Sequence, residues 1–202
     1  MTFRKEQKFR VTLSDYHKFQ DLLYGQGLKT LFKPRVIHSV YFDTVDLKMF
    51  HDSEEGVRPR KKVRIRWYDN DKTFFREIKI SSIEGRFKKS NALECTSSEE
   101  QIAKKVLLDP LYGSLHPTLK ISYKRSYFSL ENLRVTFDES IRYQKIEQGN
   151  QRIYNDPERV VEIKTPANCS EDFVEKHIPY PTIRFSKYCR GLLLFLGDIN
   201  EY

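Results

Sequence analysis

In the stretch KVRIRWY, Lys62, Arg64 and Arg66 fall on one parity while Val63, Ile65 and Trp67 fall on the other. Side chains of a β-strand alternate between its faces, so this spacing sets three cations on one surface and three apolar groups on its back. The chemistry such a ladder suits is phosphate binding, where each charge-assisted hydrogen bond contributes roughly 1.5–3 kcal/mol. One such strand alone is usually the wet face of an amphipathic sheet. The pattern, however, repeats. Glu77 and Lys79 oppose Phe74, Ile78 and Ile80; Arg134, Thr136 and Asp138 oppose Leu133, Val135 and Phe137. Glu162 and Lys164 oppose Val161 and Ile163, and Glu6, Lys8 and Arg10 oppose Phe9 and Val11. A face so rich in Arg and Lys, with scattered carboxylates, would repel itself if enclosed and empty. Polyphosphate and a divalent metal would neutralise it.

The elements that must position these residues read mostly as strands: 3–11, 36–44, 62–68, 73–81, 118–130, 133–145 and 158–165. DND (69–71) signals the turn of a hairpin, and EN (131–132) another. SDYHKFQDLLYGQG predicts a short helix capped by Ser14 and ended by Gly25 and Gly27. SSEEQIAKKVLL (97–108) predicts a second helix, and TIRFSKYCRGLLLFLGDI a short strand running into an apolar one. The stretches 45–60 and 82–97 read as loops; EGRFKKS (84–90) within the latter is either a basic flap or a solvated loop. Antiparallel α+β is the class, as an open sheet packed on helices or as a closed barrel. With no linker or repeat in view, the expectation is one domain over residues 1–202.

Bulk properties narrow the partners. The 202 residues carry a net charge of +8, which favours an anionic ligand. At 39% hydrophobic and 13% aromatic, the chain has the means for a sizeable core. Cys95, Cys169 and Cys189 are far apart and odd in number, against both a disulfide framework and a structural zinc. The N-terminal residues lack the apolar run of a signal peptide, and LLLFL (192–196) is far short of a membrane span. A soluble, cytoplasmic protein with no membrane segment in this chain is the expectation.

In order along the chain, EQK, SVYFDT, KVRIRWY, EIK, YKRSYF, LRVTFDE, VVEIK and FSKYCRG resemble the polyphosphate polymerase domain of the vacuolar transporter chaperone (VTC) type, in the triphosphate tunnel metalloenzyme (CYTH-like) superfamily. The resemblance covers roughly residues 3–196. It implies a closed eight-stranded antiparallel barrel, a tunnel with a charged lumen and helices packed outside. It implies phosphate binding by Lys8, Arg64, Arg66, Lys79, Arg125, Arg134, Ser186 and Lys187. Glu162 becomes the leading ligand for Mn²⁺ or Mg²⁺, with Glu6 and Glu77 as helpers; oxygen donors suit these hard cations. One departure stands out. The hydrolase branch opens with E-x-E-x-K, whereas here only Glu6 and Lys8 match and the first position is Arg4.

The reaction that follows is transfer of the γ-phosphate of ATP, or another nucleoside triphosphate, onto a growing inorganic polyphosphate chain. Arg64, Arg66, Lys79 and Glu162 are the catalytic candidates, acting by positioning and charge neutralisation. The same residues would equally serve a tripolyphosphatase or nucleoside triphosphatase, or a non-catalytic polyphosphate-binding domain. Nucleic acid is not expected, because Trp67, Phe74 and Phe137 lie on the parity opposite the cations. The five histidines are scattered and are assigned no chemistry.

Overall fold

A computed structural model describes residues 4–69, 71–93, 98–147, 152–166, 178 and 180–197. The described chain is an antiparallel, sheet-dominated α+β fold. Its strands are β1 (Arg4–Val11), β2 (Lys29–Asp43), β3 (Arg60–Tyr68), β4 (Asp71–Ser81), β5 (Arg86–Ala92), β6 (Leu107–Asp109), β7 (Gly113–Leu130), β8 (Leu133–Lys145), β9 (Ile153–Asn155) and β10 (Arg159–Pro166). The helices among the described residues are α1 (Leu13–Gly25), α2 (Lys48–Glu55), α3 (Glu99–Ile102) and α4 (Lys187–Leu196). The ladder runs β1-β10-β8-β7-β2-β3-β4-β5, with β6 on β7 and β9 on β8. Among the described residues no hydrogen-bonded ladder joins β5 back to β1, so the structure shows an antiparallel sheet and not the closed eight-stranded barrel expected above.

The chain divides into two compact units. The first comprises Met1–Val36, Tyr123–Ile141 and Asn155–Phe185; the second comprises Ile37–Ser122, Arg142–Tyr154 and Ser186–Tyr202. In the first unit, Phe9, Val11, Val135, Phe137, Val161 and Ile163 form a buried cluster against Tyr16, Phe19 and Leu23 of α1. These strand residues are the apolar parity read from the sequence, and α1 supplies three apolar groups at helical spacing to cover them. In the second unit Val40, Phe42, Val63, Ile65 and Trp67 pack with Met49 of α2 and Ile102 of α3. Each unit therefore has one greasy sheet face sealed by helices, leaving the charged parity on the other face.

Several elements differ from the expectation. Residues 45–60 contain α2, because the Asp43 carboxylate accepts from the backbone N–H groups of Met49 and Phe50 at 2.9 Å each. That carboxylate stands outside the helix, so local spacing does not announce the cap. Leu47, just before the helix, takes a left-handed φ of 57° to bring the chain round. Residues 86–92 form β5, paired in full register with β4. Polar composition concealed this strand, since every residue of it is exposed. α1 is capped by Thr12, whose hydroxyl accepts from Asp15 N, and not by Ser14. α3 ends at Ile102, where the sequence predicts helix to 108, and β6 takes residues 107–109. No strand precedes α4 in the described segment 180–186. No described helix is long and apolar enough to cross a membrane. Cys95, Cys169 and His177 lie outside the described residues; Cys189 is a buried free thiol.

Candidate phosphate and metal site

Strand register fixes which side chains share a face. In the second unit Arg64 stands opposite Glu77, Lys62 opposite Lys79, and Arg66 opposite Phe75. Glu77 in turn faces Ser90, and Lys79 faces Lys88. From Arg60 to Arg66 of β3, and at the positions facing them across β4 and β5, one face therefore carries Arg60, Lys62, Arg64, Arg66, Lys79, Arg86 and Lys88 against the single carboxylate Glu77. Arg64 and Arg66 are only 7% and 8% exposed, although Val63 and Ile65 behind them are fully buried. Both sides of β3 are thus covered. An amphipathic strand showing its wet side to solvent would leave these arginines exposed, so that bland reading of KVRIRWY fails.

Glu77 organises this cationic face. Arg64 Nε and Nη2 donate to one carboxylate oxygen at 2.7 and 2.6 Å, Arg66 Nη1 lies 3.8 Å away, and Lys88 Nζ reaches the other oxygen at 2.5 Å. Arg64 Nη1 also donates to the Tyr41 hydroxyl at 2.8 Å. Burial works against the charged form of Glu77, but the charges of Arg64 and Arg66 and the hydrogen bonds from Lys88 and Arg64 outweigh it and lower its pKa to about 2. With a folded pKa below the reference value of 4.5, Glu77 contributes stability that is complete above pH 4.5 and disappears as pH falls towards 2. Glu77→Gln is expected to cost about 1.5–3 kcal/mol at pH 7, the range for hydrogen bonds to charged groups. In urea titrations the gap between the two proteins should close over that acid window. A gap constant with pH would show that the carboxylate charge is not what matters.

A second constellation sits at the start of α4. Ser186 is its N-cap, accepting from Cys189 N at 3.4 Å, and Lys62 Nζ donates to the same hydroxyl at 2.7 Å. The expected phosphate contact Ser186 is thereby tied to Lys62, which the alternation of KVRIRWY places on the cationic face although the family resemblance does not include it among the phosphate-binding residues. Lys187 is half-buried on the first turn of α4, and Lys79 is exposed on the face shared with Lys62. Tyr188 stacks on Tyr41 with centroids 4.9 Å apart and donates to Asp43 at 2.5 Å.

The first unit is balanced by comparison. Lys8 faces Glu162, Glu6 faces Lys164, and across β8 Glu162 meets Thr136 and Lys164 meets Arg134. Glu162 is 7% exposed, with Lys164 Nζ at 3.0 Å and Arg125 Nη2 at 3.8 Å. Glu6 pairs with Lys8 at 3.2 Å, and Lys8 donates to the Phe185 carbonyl at 3.1 Å. Arg125 grips the fully buried Asp138 through two hydrogen bonds of 2.6 Å. Burial alone would depress the guanidinium, but Asp138 above all keeps it charged and its pKa raised.

Among the described residues no group of three or more His, Cys, Asp or Glu side chains could hold a metal by itself. Glu6 and Glu162 nevertheless sit diagonally on the same face of neighbouring strands, two positions apart in register. Two carboxylates suit Mg²⁺ or Mn²⁺, which keeps several waters and takes its remaining oxygens from substrate phosphates. Glu77, enclosed by Arg64, Arg66 and Lys88, is placed to neutralise cations.

His38, assigned no role from sequence, is held by Ser122 Oγ at 2.8 Å and by Asp69, and its ring stacks on Trp67. It rivets β2, β7 and the β3–β4 turn on the apolar side. Trp67, Phe74 and Phe137 belong to the apolar clusters, as their parity predicts. Tyr41 does not, since its hydroxyl meets Arg64.

A family model described as the VTC domain matches residues 3–196. The chain belongs to that family. No curated protein has a matching sequence. Among solved structures, a conserved hypothetical protein of Pyrococcus furiosus is 16% identical with a TM-score of 0.57, over 92% of this chain and 99% of its own. A Hippeastrum protein, described as a candidate adenylyl cyclase with a dominant triphosphatase activity, is 16% identical with a TM-score of 0.53, over 96% of each chain. A protein of Pyrococcus horikoshii OT3 is 15% identical with a TM-score of 0.53, over 89% of this chain and 92% of its own. At these identities the likeness is one of fold. Within this VTC domain, the residues expected from sequence thus sort into a cation-rich sheet face in one unit and, in the other, a face where carboxylates and cations balance.

Proposed function

We propose that this VTC domain transfers the γ-phosphate of a nucleoside triphosphate, ATP in the first instance, onto inorganic polyphosphate. The observation that carries the reading is the cationic face of β3–β5, with Arg64 and Arg66 buried in it and Glu77 alone opposing seven basic side chains. Such an excess suits a polyanion with several charges on adjacent oxygens. Arg64 and Arg66 hold phosphate oxygens by their forked donors, with Lys62, Lys79, Ser186 and Lys187 beside them on the same unit. In the other unit Glu162, with Glu6, would hold Mn²⁺ or Mg²⁺, while Lys8 and Arg134 offer further phosphate contacts. When bound, the cation would supply neutralisation of the phosphate charge. Phosphoryl transfer needs no protein nucleophile, so the residues' work is to place the donor phosphate in line with its acceptor.

Glu77 holds the Arg64 guanidinium in place until phosphate takes over its donors, and Arg125 positions the β7–β8 pair through Asp138. A cytoplasmic setting, where ATP is available, fits this function. Incubating the protein with ATP and Mn²⁺ and sizing the products is the direct test. Long-chain polyphosphate is the expected product. Orthophosphate alone would replace the polymerase with a triphosphatase on the same residues. Arg66→Ala should weaken tripolyphosphate binding by about 10- to 150-fold, the loss of one or more charge-assisted hydrogen bonds. Unchanged affinity in isothermal titration calorimetry would remove Arg66 from the site.

A further inference from the structure

The N-terminal half of β2 is exposed from Lys29 to Arg35, and within it Phe32 leaves 47% of its surface open. An aromatic ring that open on a strand, away from the apolar cluster of its unit, calls for an explanation. Its neighbours are basic and aromatic. The Arg134 guanidinium carbon lies 5.8 Å from the Phe32 centroid, and the nearly buried Tyr127 meets the ring edge-on at 5.9 Å and 82°. Arg35 in turn lies over Tyr127 at 5.9 Å. Tyr127 therefore anchors Phe32 while Arg134 links it to the charged face of the same unit.

That link is directional. Arg134 is the register partner of Lys164, and Thr136, two residues along β8, is the partner of Glu162. Two strand residues span roughly 7 Å. Within this unit an exposed ring on β2 meets an arginine on β8, and the β8–β10 pair carries on from that arginine to a carboxylate suited to a divalent cation. We propose that Phe32 is the platform on which the base of a nucleoside triphosphate stacks, with Arg134 receiving the phosphates that lead towards Glu162. The proposal rests on the phosphate-handling function above and adds to it the recognition of a nucleobase. Stacking on an aromatic side chain is tolerant of base identity because every base offers a π-face. A platform of this kind therefore favours nucleotides over inorganic phosphates without selecting strongly among bases.

The test compares ATP with tripolyphosphate, which has the phosphates and no base, in equilibrium binding to the full chain with Mg²⁺ present. Phe32→Ala should weaken ATP by about 5- to 150-fold, the range for losing one base–aromatic stack. It should leave tripolyphosphate within about twofold of wild type, and Phe32→Trp should restore ATP, since an indole offers the same kind of stacking face. Equal losses for both ligands, or no loss for ATP, would overturn the platform. A wild-type protein that binds tripolyphosphate but not ATP would overturn it too, along with ATP as the phosphate donor, and would leave only the binding of inorganic phosphates. Failure to bind either would remove both. An oligothymidylate bound more tightly than ATP, and released by Phe32→Ala, would reassign the ring to single-stranded nucleic acid. Because Phe32 is half exposed, thermal melting of the variants should match wild type and exclude misfolding as the cause.

Discussion

Glu162→Gln is expected to lose metal-dependent ATP turnover by roughly two to three orders of magnitude while the protein remains folded, because charge neutralisation by the cation is central to phosphoryl transfer. The substitution keeps the size of the side chain and its position opposite Lys8 and Thr136, but removes one of two carboxylates available to a hard cation on that face. Amide oxygen is a weaker ligand for Mg²⁺ or Mn²⁺ than carboxylate, and Glu6 alone leaves the cation to water and substrate. Lys164 Nζ, 3.0 Å from Glu162, also gains freedom to contact phosphate once the charge is gone. Metal-free tripolyphosphate binding is therefore expected to stay level or tighten as turnover falls. This split separates a metal ligand from a merely structural carboxylate. Turnover that survives at wild-type rates, across a Mn²⁺ titration, would take Glu162 out of the chemistry.

The largest stability effect is expected at Asp138. This carboxylate has no exposed surface and binds Arg125 through both oxygens. Removing one partner of a buried pair strands the other charge, which costs about 3–5 kcal/mol. For a chain of this size, Asp138→Ala should lower Tm by roughly 6–20 °C. Replacing both partners with apolar residues, as in Arg125→Met with Asp138→Leu, should recover most of that loss, because the pair is no longer half present. If Arg125 positions strands and does not hold phosphate, the double variant should also keep its tripolyphosphate affinity. A single variant that melts with wild type, or a double variant that stays as unstable as the single, contradicts the assignment of this pair.

The face pattern was legible in the sequence because it depends on parity alone. Val63, Ile65, Val135, Phe137, Val161 and Ile163 are all buried on the predicted side, and Arg64, Glu162 and Glu77 all lie on the other. What parity cannot carry is partner identity. Nothing in FFREIKI tells that Glu77 is claimed by Arg64 and by Lys88, since Lys88 sits on a strand whose largely polar composition reads as loop. Nor does YKRSYF show that Arg125 meets Asp138 in place of open space. α2 escaped for a related reason: its capping carboxylate, Asp43, stands on the preceding strand. Phe32 was missed because Pro34 and the surrounding basic residues obscure any alternation at the start of β2.

Asp43 has a wider consequence. One carboxylate caps α2, receives the Tyr188 hydroxyl from α4, and through the Tyr188–Tyr41 stack stands behind Arg64. Three segments remote in sequence thus share one polar hinge-pin. Gly191, on the same helix as Tyr188, has no room for a methyl group, since a Cβ there would come within 2.6 Å of Leu119 and Tyr143. Any side chain at that position must displace the Leu119 methyl and the Tyr143 ring, or else lift the helix and Tyr188 with it. Damage to hydrocarbon packing at residue 191 would then be felt as a misaimed guanidinium.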